Sequence, residues 1–262
     1  DLTVEGSFPL GAAVAASMLS AGYGPIPSFA FAALAGMLAG VVTAILHTKM
    51  KIPALLAGIL TMIALYSVNL RVMGKANLSL LGTDTTFTII RNMFGLNSAH
   101  TTLVVGVLAT VLVAVFMYWF FGTEIGAAIR ATGFNQQMIR AQGVNTDVTI
   151  MLGLLISNAL VAISGALVAQ SNGFADVGMG TGTIVIGLAS VIIGEVLFGT
   201  RSFKNCIISV ILGSVVYRIV IAAVLQMGMP PNDLKLFTSI LVAFALALPL
   251  IKSKFGARKV VD

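Results

Sequence analysis

The sequence predicts an all-α, polytopic helical membrane bundle, and three observations carry that prediction. Hydrophobic residues make up 58% of the 262 and charged residues 9%, with a mean hydropathy of +1.04, far outside the balance of a water-soluble domain. The apolar residues gather in long charge-poor runs, each near or above the roughly 20 residues that a helix needs to cross the hydrocarbon core. The alternation of apolar and polar residues that marks a membrane barrel strand is absent.

The length rule divides the chain 1–262 into about eight spans of a single transmembrane domain, at 4–21, 27–47, 52–70, 100–122, 146–169, 181–198, 205–226 and 234–251. The first two come from one uninterrupted apolar run. Gly22, Gly24, Pro25 and Pro27 divide it, because such a cluster favours a turn over a continuous helix. Gly6-Ser7-Phe8-Pro9 and Gly178 to Gly182 read as places where a helix is interrupted beside a cavity. Gly36 to Gly40 forms a G-x-x-x-G pattern, which permits close helix approach and by itself is weak evidence for a dimer.

Basic residues set the orientation. If the spans alternate, one side receives Lys49, Lys51, Arg130, Arg140, Arg201, Lys204 and the tail Lys252, Lys254, Arg258 and Lys259. The other receives Arg71, Lys75, Arg91 and Lys235. The positive-inside rule assigns the first group, and with it the C-terminus, to the cytoplasm. The connection 71–99 is then external, and its LGTDTTFTIIRNMFG segment has the apolar spacing of a helix lying on the membrane; a solvated loop packed on the bundle is an equal alternative.

Several chemistries are excluded or disfavoured. The single cysteine, Cys206, rules out an internal disulfide. The two histidines, His47 and His100, fall at opposite faces of the expected topology, so no metal site is expected. ATP hydrolysis needs a phosphate loop, G-x-x-x-x-G-K-[ST]; Gly74-Lys75-Ala76 lacks both the upstream glycine and the hydroxyl. If ATP drives this protein, another subunit binds it. A nucleic-acid partner is not expected. The chain opens Asp-Leu-Thr-Val-Glu, without a signal-peptide pattern, and residues upstream of it are expected.

The polar island 122–147 interrupts this apolar pattern. Thr123 can cap a helix whose first turn carries Glu124, an acid at the positive end of the dipole. Thr132-Gly133-Phe134-Asn135 reads as a break between two short helices that form a cytoplasmic knob over 123–144, with Arg130 and Arg140 exposed for ion pairs. An amphipathic connector resting on anionic lipid headgroups is the plainer reading.

The pattern Glu124-x-Gly126-x-Ala128-x-Arg130-Ala131-x-Gly133-x-Asn135, followed by Ala141-x-Gly143-Val144, resembles the cytoplasmic coupling segment of ABC importer permeases. The similarity is to the family of branched-chain amino acid and ribose permeases. Asp1 to Ser7 resembles the polar entry to an early core helix of that family, and Leu188 to Gly199 its late glycine-rich segment. Glu5, Ile193-Gly194-Glu195 and Gly213 to Arg218 resemble most the branch with tryptophan or tyrosine importer assignments.

The resemblance implies a type II-like importer permease fold with about nine spans in the complete subunit, N-terminus outside, in the bacterial cytoplasmic membrane. It also implies a second permease copy, an ATPase dimer carrying ATP and Mg, and an extracellular or periplasmic solute-binding protein. This chain itself would bind no cofactor. The implied coupling residues are Glu124, Gly126, Arg130, Gly133, Asn135, Arg140 and Gly143.

Charges and amides at bilayer depth are costly and mark candidate pathway or gate positions. These are Glu5, Ser7, Asn158, Glu195 and Arg218, with Asn69 and Gln170 as further amides. Glu5 and Glu195 are expected near the cytoplasmic ends of their spans. Arg218 is expected to face the bundle interior, either as a structural lock or with a carbonyl, Asp233, Asp176 or a solute carboxylate as its partner. An aromatic amino acid is the implied cargo; a nucleoside, a sugar or an aliphatic amino acid is the alternative, as is an ion-gradient-driven transporter or channel coupled through Glu5 and Glu195.

Overall fold

The computed structural model describes residues 1–226 apart from 96 and 201, and positions 236, 237, 239, 240 and 243 beyond them. The described residues form ten α-helices and one two-stranded sheet. Six helices are long and apolar enough to cross a bilayer. The expected span 234–251 falls almost wholly outside the described residues, and the basic tail entirely.

The first unit, residues 1–181, begins with α1 (Val4–Ser20), α2 (Pro25–Thr48) and α3 (Ala54–Met73). Pro25 occupies the first turn of α2, where a missing N–H costs nothing. His47 Nδ1 meets the Ile52 carbonyl at 2.9 Å and closes the short α2–α3 connection. The external connection holds β1 (Asn77–Ser79) and α4 (Thr86–Phe94). Thr85 and Thr88 bond reciprocally in a capping box that starts α4.

Then come α5 (Ser98–Gly122), α6 (Glu124–Phe134), α7 (Gln136–Ala141) and α8 (Thr146–Asn172). β2 (Phe174–Asp176) pairs antiparallel with β1, Leu78 opposite Ala175. A single 3-10 turn, Val177–Gly180, ends the unit.

The core of this unit is α1. Ala12, Ala13, Ala15 and Ala16 have no exposed surface, and α8, α2 and α3 pack around the helix. Small residues permit the close approach. A Cβ on Gly11 would overlap the Ala162 carbonyl, and one on Gly165 the Phe8 carbonyl. Gly36 and Gly40 face Asn158 and Leu154 of α8 in the same way, so the G-x-x-x-G pattern is spent on packing within the chain. Between helices in lipid, such backbone contact supplies dispersion where a hydrophobic drive is lacking.

Two expectations about interruptions part company here. Gly6 to Pro9 does not break α1, which runs through Pro9; the proline falls in the second turn, where it removes a single helical donor. Gly178 to Gly182 is a true interruption, formed by the 3-10 turn and Gly182 at φ +85° before the next helix.

The second unit, from residue 182, pairs α9 (Thr183–Phe198) with α10 (Phe203–Gln226). Gly194 and Gly213 meet at the crossing, where a Cβ on either would overlap Ser209 or Ser190 backbone. Ser209 Oγ donates to the Gly199 carbonyl at 2.7 Å and ties α10 to the end of α9.

Candidate functional site

The polar island folds as two capped helices. Thr123 ends α5 and starts α6, its Oγ1 accepting from the Gly126 N–H at 3.3 Å. Gly126 is buried because a Cβ there would overlap Phe120 backbone. The break falls at Asn135 rather than at Gly133, which stays inside α6. Asn135 is extended, ends α6, and accepts from the Met138 N–H at 3.0 Å to start α7. An asparagine with a free carbonyl oxygen is among the strongest N-caps.

Gly143 ends α7 with φ +85°, a left-handed position that glycine fills without steric cost. The N–H of Gly143 reaches the Arg140 carbonyl at 3.0 Å and that of Val144 the Ile139 carbonyl at 3.3 Å, the paired bonds of a Schellman motif. Two anchors hold the knob to α8. Thr132 and Thr149 share a buried hydroxyl contact of 2.9 Å, and Ile139 is buried beneath α7.

Arg140 is exposed, and its ion-pair partner lies within the chain. Its Nε donates to Thr146 Oγ1 at 2.6 Å, and its Nη2 lies 3.5 Å from Asp147. The side chain clamps α7 to the start of α8. Glu124 and Arg130 are exposed. The outer surface carries apolar side chains: Ile125 is 55% exposed, Phe134 92% and Met138 46%. Exposed apolar groups rimmed by charge are the signature of a docking surface, a signal present in the sequence only once helix phase is known.

The intramembrane polar residues fall into three places. Ser7 Oγ donates to Asn158 Oδ1 at 2.6 Å, and Asn158 Nδ2 donates to Asp1 Oδ2 at 2.7 Å and to the Leu154 carbonyl at 2.9 Å. Both Ser7 and Asn158 have no exposed surface, so these two expected pathway residues are joined to each other. Beside them Thr3, Thr43 and Thr61 form a hydroxyl chain with links of 2.8 and 2.9 Å. Buried polar groups satisfied in this way fix helix register.

Glu5 stands in the first turn of α1. Leu2 packs on Gly58, and Gly6 on Met62 and Leu65, so Glu5 sits beside the middle of α3. It lines a cavity of about 430 Å³ with Pro9, Met62, Tyr66, Asn69 and Val177. Pro9 removes the helical donor to the Glu5 carbonyl, and Gly180 of the 3-10 turn packs over that carbonyl, where a Cβ would overlap it. Asn69 Nδ2 donates to the Gly6 carbonyl at 3.3 Å. Its Oδ1 is buried with no partner among the described residues.

In the second unit Glu195 lies near the end of α9 and is exposed. Arg218 is exposed among the described residues as well, and the buried positions of α10 are Ser209, Gly213 and Tyr217. Asp233, one expected partner of Arg218, lies outside the described residues.

The family described as branched-chain amino acid transport system / permease component matches residues 1–258. The chain belongs to this family. The permease is 40% identical over 247 residues, 94% of its length and 81% of the relative's, to a tyrosine transport system permease protein of Clostridioides difficile. It is 34% identical over 256 residues, 94% and 86% of the two chains, to the uncharacterized protein RP368 of Rickettsia prowazekii. The autoinducer 2 import system permease protein LsrC of Yersinia pseudotuberculosis is 30% identical over 164 residues, 62% of this chain and 45% of that one. No solved structure matches it. The protein is thus an integral membrane permease of the ABC transporter class.

Proposed function

We propose that this permease forms the translocation pathway of an ATP-driven importer in a bacterial cytoplasmic membrane. Two copies would face each other, a pair of ATPase subunits carrying ATP and Mg would dock on residues 123–144, and an external binding protein would deliver the solute. The observation that carries this reading is the knob of α6 and α7. It is capped at each junction, anchored to α8, and tipped by exposed Phe134 and Met138. A rigid knob transmits motion; a loose loop would absorb it. Closure of the ATPase dimer would push α6 and α7, and the anchors at Thr149 and Thr146 would pass that displacement to α8 and so to α1, switching access between the two faces.

The cargo we infer is an aromatic amino acid. This rests on the full-length similarity to a tyrosine transport permease and on the acidic residue at the pathway-lining α1.

The test is recovery and transport. Phe134→Asp, Gly133→Trp and Arg130→Glu, each introduced singly, should leave membrane insertion intact while reducing copurification of the neighbouring ATPase subunit and ATP-dependent L-tyrosine uptake by about tenfold or more, as for loss of an interface anchor. Undiminished recovery in all three variants refutes docking at this knob. Wild-type uptake that persists without any ATPase and collapses with the proton gradient replaces the importer with an ion-driven transporter.

A further inference from the structure

The short connection between α2 and α3 carries a strained cation. Lys51 is the one non-glycine at positive φ among the described residues, at +57°, a left-handed conformation in which a Cβ crowds the following carbonyl. A residue held in such a conformation points to a use for its side chain. The turn around it is tied down: the Ile52 N–H donates to the Leu46 carbonyl at 3.1 Å, and the Ile52 carbonyl meets His47 Nδ1 at 2.9 Å. Lys51 thus stands on a fixed backbone, exposed, and its ammonium has no partner among the described residues.

It lines a cavity of about 320 Å³ with Arg140, Val144, Asn145, Thr146 and Asp147. Arg140 is pre-set there. Thr146 Oγ1 holds its Nε, and Nη2 lies 3.5 Å from Asp147, which leaves Nη1 without a partner among the described residues. Asp147 compensates one of the two cations, and the cavity keeps the charge of the other.

A cleft of about 360 Å³ continues along the same three walls. The connection gives Lys51 to the first cavity and Ala54 and Leu55 to the second, α7 gives Arg140 and then Gln136, and α8 gives Asp147 and then Ile150 and Leu154. Positions three or four apart share a helix face. Both α3 and α8 are long and apolar enough to cross a bilayer from these ends, so the charge sits above apolar surface. Leu55 is 66% exposed, and Met50 and Val148, the neighbours of Lys51 and Asp147, are 62% and 50% exposed. Asp1 also borders the cleft, with its carboxylate taken by Asn158 and the Thr3 N–H.

We propose that the two cavities together hold one anionic phospholipid, its phosphodiester between Lys51 and Arg140 and an acyl chain along Leu55, Ile150 and Leu154. Basic residues at headgroup level over apolar surface are the recognition chemistry for such lipids, and an oriented guanidinium matches phosphate oxygens. A soluble acidic partner would use the cations and leave the cleft empty, as would free phosphate. The lipid would tie the α2–α3 connection to α7 and α8, the elements that flank the knob. The leaflet it comes from rests on the permease reading, which sets the knob in the cytoplasm; the site itself does not depend on ATP.

The test uses the full chain with Trp119→Phe, the only native tryptophan, and Leu55→Trp as reporter, in dioleoylphosphatidylcholine vesicles carrying either brominated phosphatidylglycerol or brominated phosphatidylcholine. The ratio of the two quenching strengths gives the relative binding constant at the cleft. Phosphatidylglycerol should be preferred by about fivefold or more, the scale of a basic residue beside an anionic headgroup. Lys51→Gln should remove most of that preference, Arg140→Gln should reduce it, and Lys51→Arg should keep it. Leu197→Trp, at the end of α9 in the second unit, controls for diffuse attraction, and its ratio should not respond to Lys51→Gln. Potassium phosphate and potassium chloride of equal ionic strength should leave the Leu55→Trp ratio alike.

No preference at Leu55→Trp, an equal loss at both reporters, or a preference that phosphate abolishes and chloride does not overturns the proposal. Lys51→Gln that lowers ATPase copurification while the quenching ratio stays unchanged assigns the cations to the ATPase and overturns it as well. Quenching is read on the permease alone, which separates the two readings. Undiminished ATPase recovery in the knob variants refutes importer docking and leaves a cation-dependent lipid preference standing; a flat quenching ratio with ATPase-dependent uptake does the reverse.

Discussion

Ser7 and Asn158 illustrate how single polar residues hold helices together in this permease. Each has no exposed surface, and the 2.6 Å bond between them spans 151 positions of sequence. Ser7→Ala would leave Asn158 Oδ1 without that donor. A loss of about 1–3 kcal/mol is expected, the cost of an unsatisfied buried acceptor, seen as a lower midpoint in thermal unfolding followed by circular dichroism in detergent. Glycines separate equally sharply. Gly36→Leu would drive a side chain into the Asn158 carbonyl, whereas Gly106 has open space around its missing Cβ. Gly36→Leu should therefore lower the yield of folded protein, and Gly106→Leu should not. Both glycines sit in apolar runs, and sequence pattern alone does not separate them.

At the scale of elements, the knob depends on its caps more than on its charges. Asn135→Ala removes the acceptor of the Met138 N–H and should destabilise α7 by about 1 kcal/mol. Gly143→Ala places a Cβ at φ +85° and should cost about 1–2 kcal/mol. Amide hydrogen exchange of residues 136–144 measures both as faster exchange confined to that segment.

The clamp between Arg140 and Asp147 behaves differently. Its arginine side chain is 57% exposed, so a double-mutant cycle on the pair should return less than about 1 kcal/mol. The helices themselves were legible from Thr123, Glu124 and the polar composition. The placement of the break was not, because Gly133 and Asn135 are both turn-forming and only the cap bond to Met138 decides between them.

At the scale of the whole chain, six of the eight expected spans coincide with helices long and apolar enough to cross a bilayer, those of α2, α3, α5, α8, α9 and α10, and the first expected span coincides with the 17-residue α1. The positive-inside orientation is open to a direct labelling test. With Cys206→Ser as background, Gly133→Cys should react with a membrane-impermeant maleimide only from the cytoplasmic side of oriented vesicles, and Gly82→Cys only from the other. The reverse labelling pattern would invert the topology. Both positions are glycines with open space around them, so the substitution itself does not perturb packing, although the φ of +83° at Gly82 adds local strain there.

What the sequence determined by itself is the class and most of the elements: bilayer thickness sets how long an apolar run must be, and that length is countable in one dimension. The family followed from short motifs whose spacing is equally one-dimensional. The tertiary structure decided everything that depends on which residues meet. It joined Ser7 to Asn158, spent the G-x-x-x-G pattern on α8, gave Arg140 its partners Thr146 and Asp147, and set Glu5 on a cavity that Asn69 also lines. The physical reason is that a membrane helix is apolar nearly all round, so its sequence carries little hydrophobic phase; which face packs is set by backbone contact at small residues and by a few buried hydrogen bonds between distant positions.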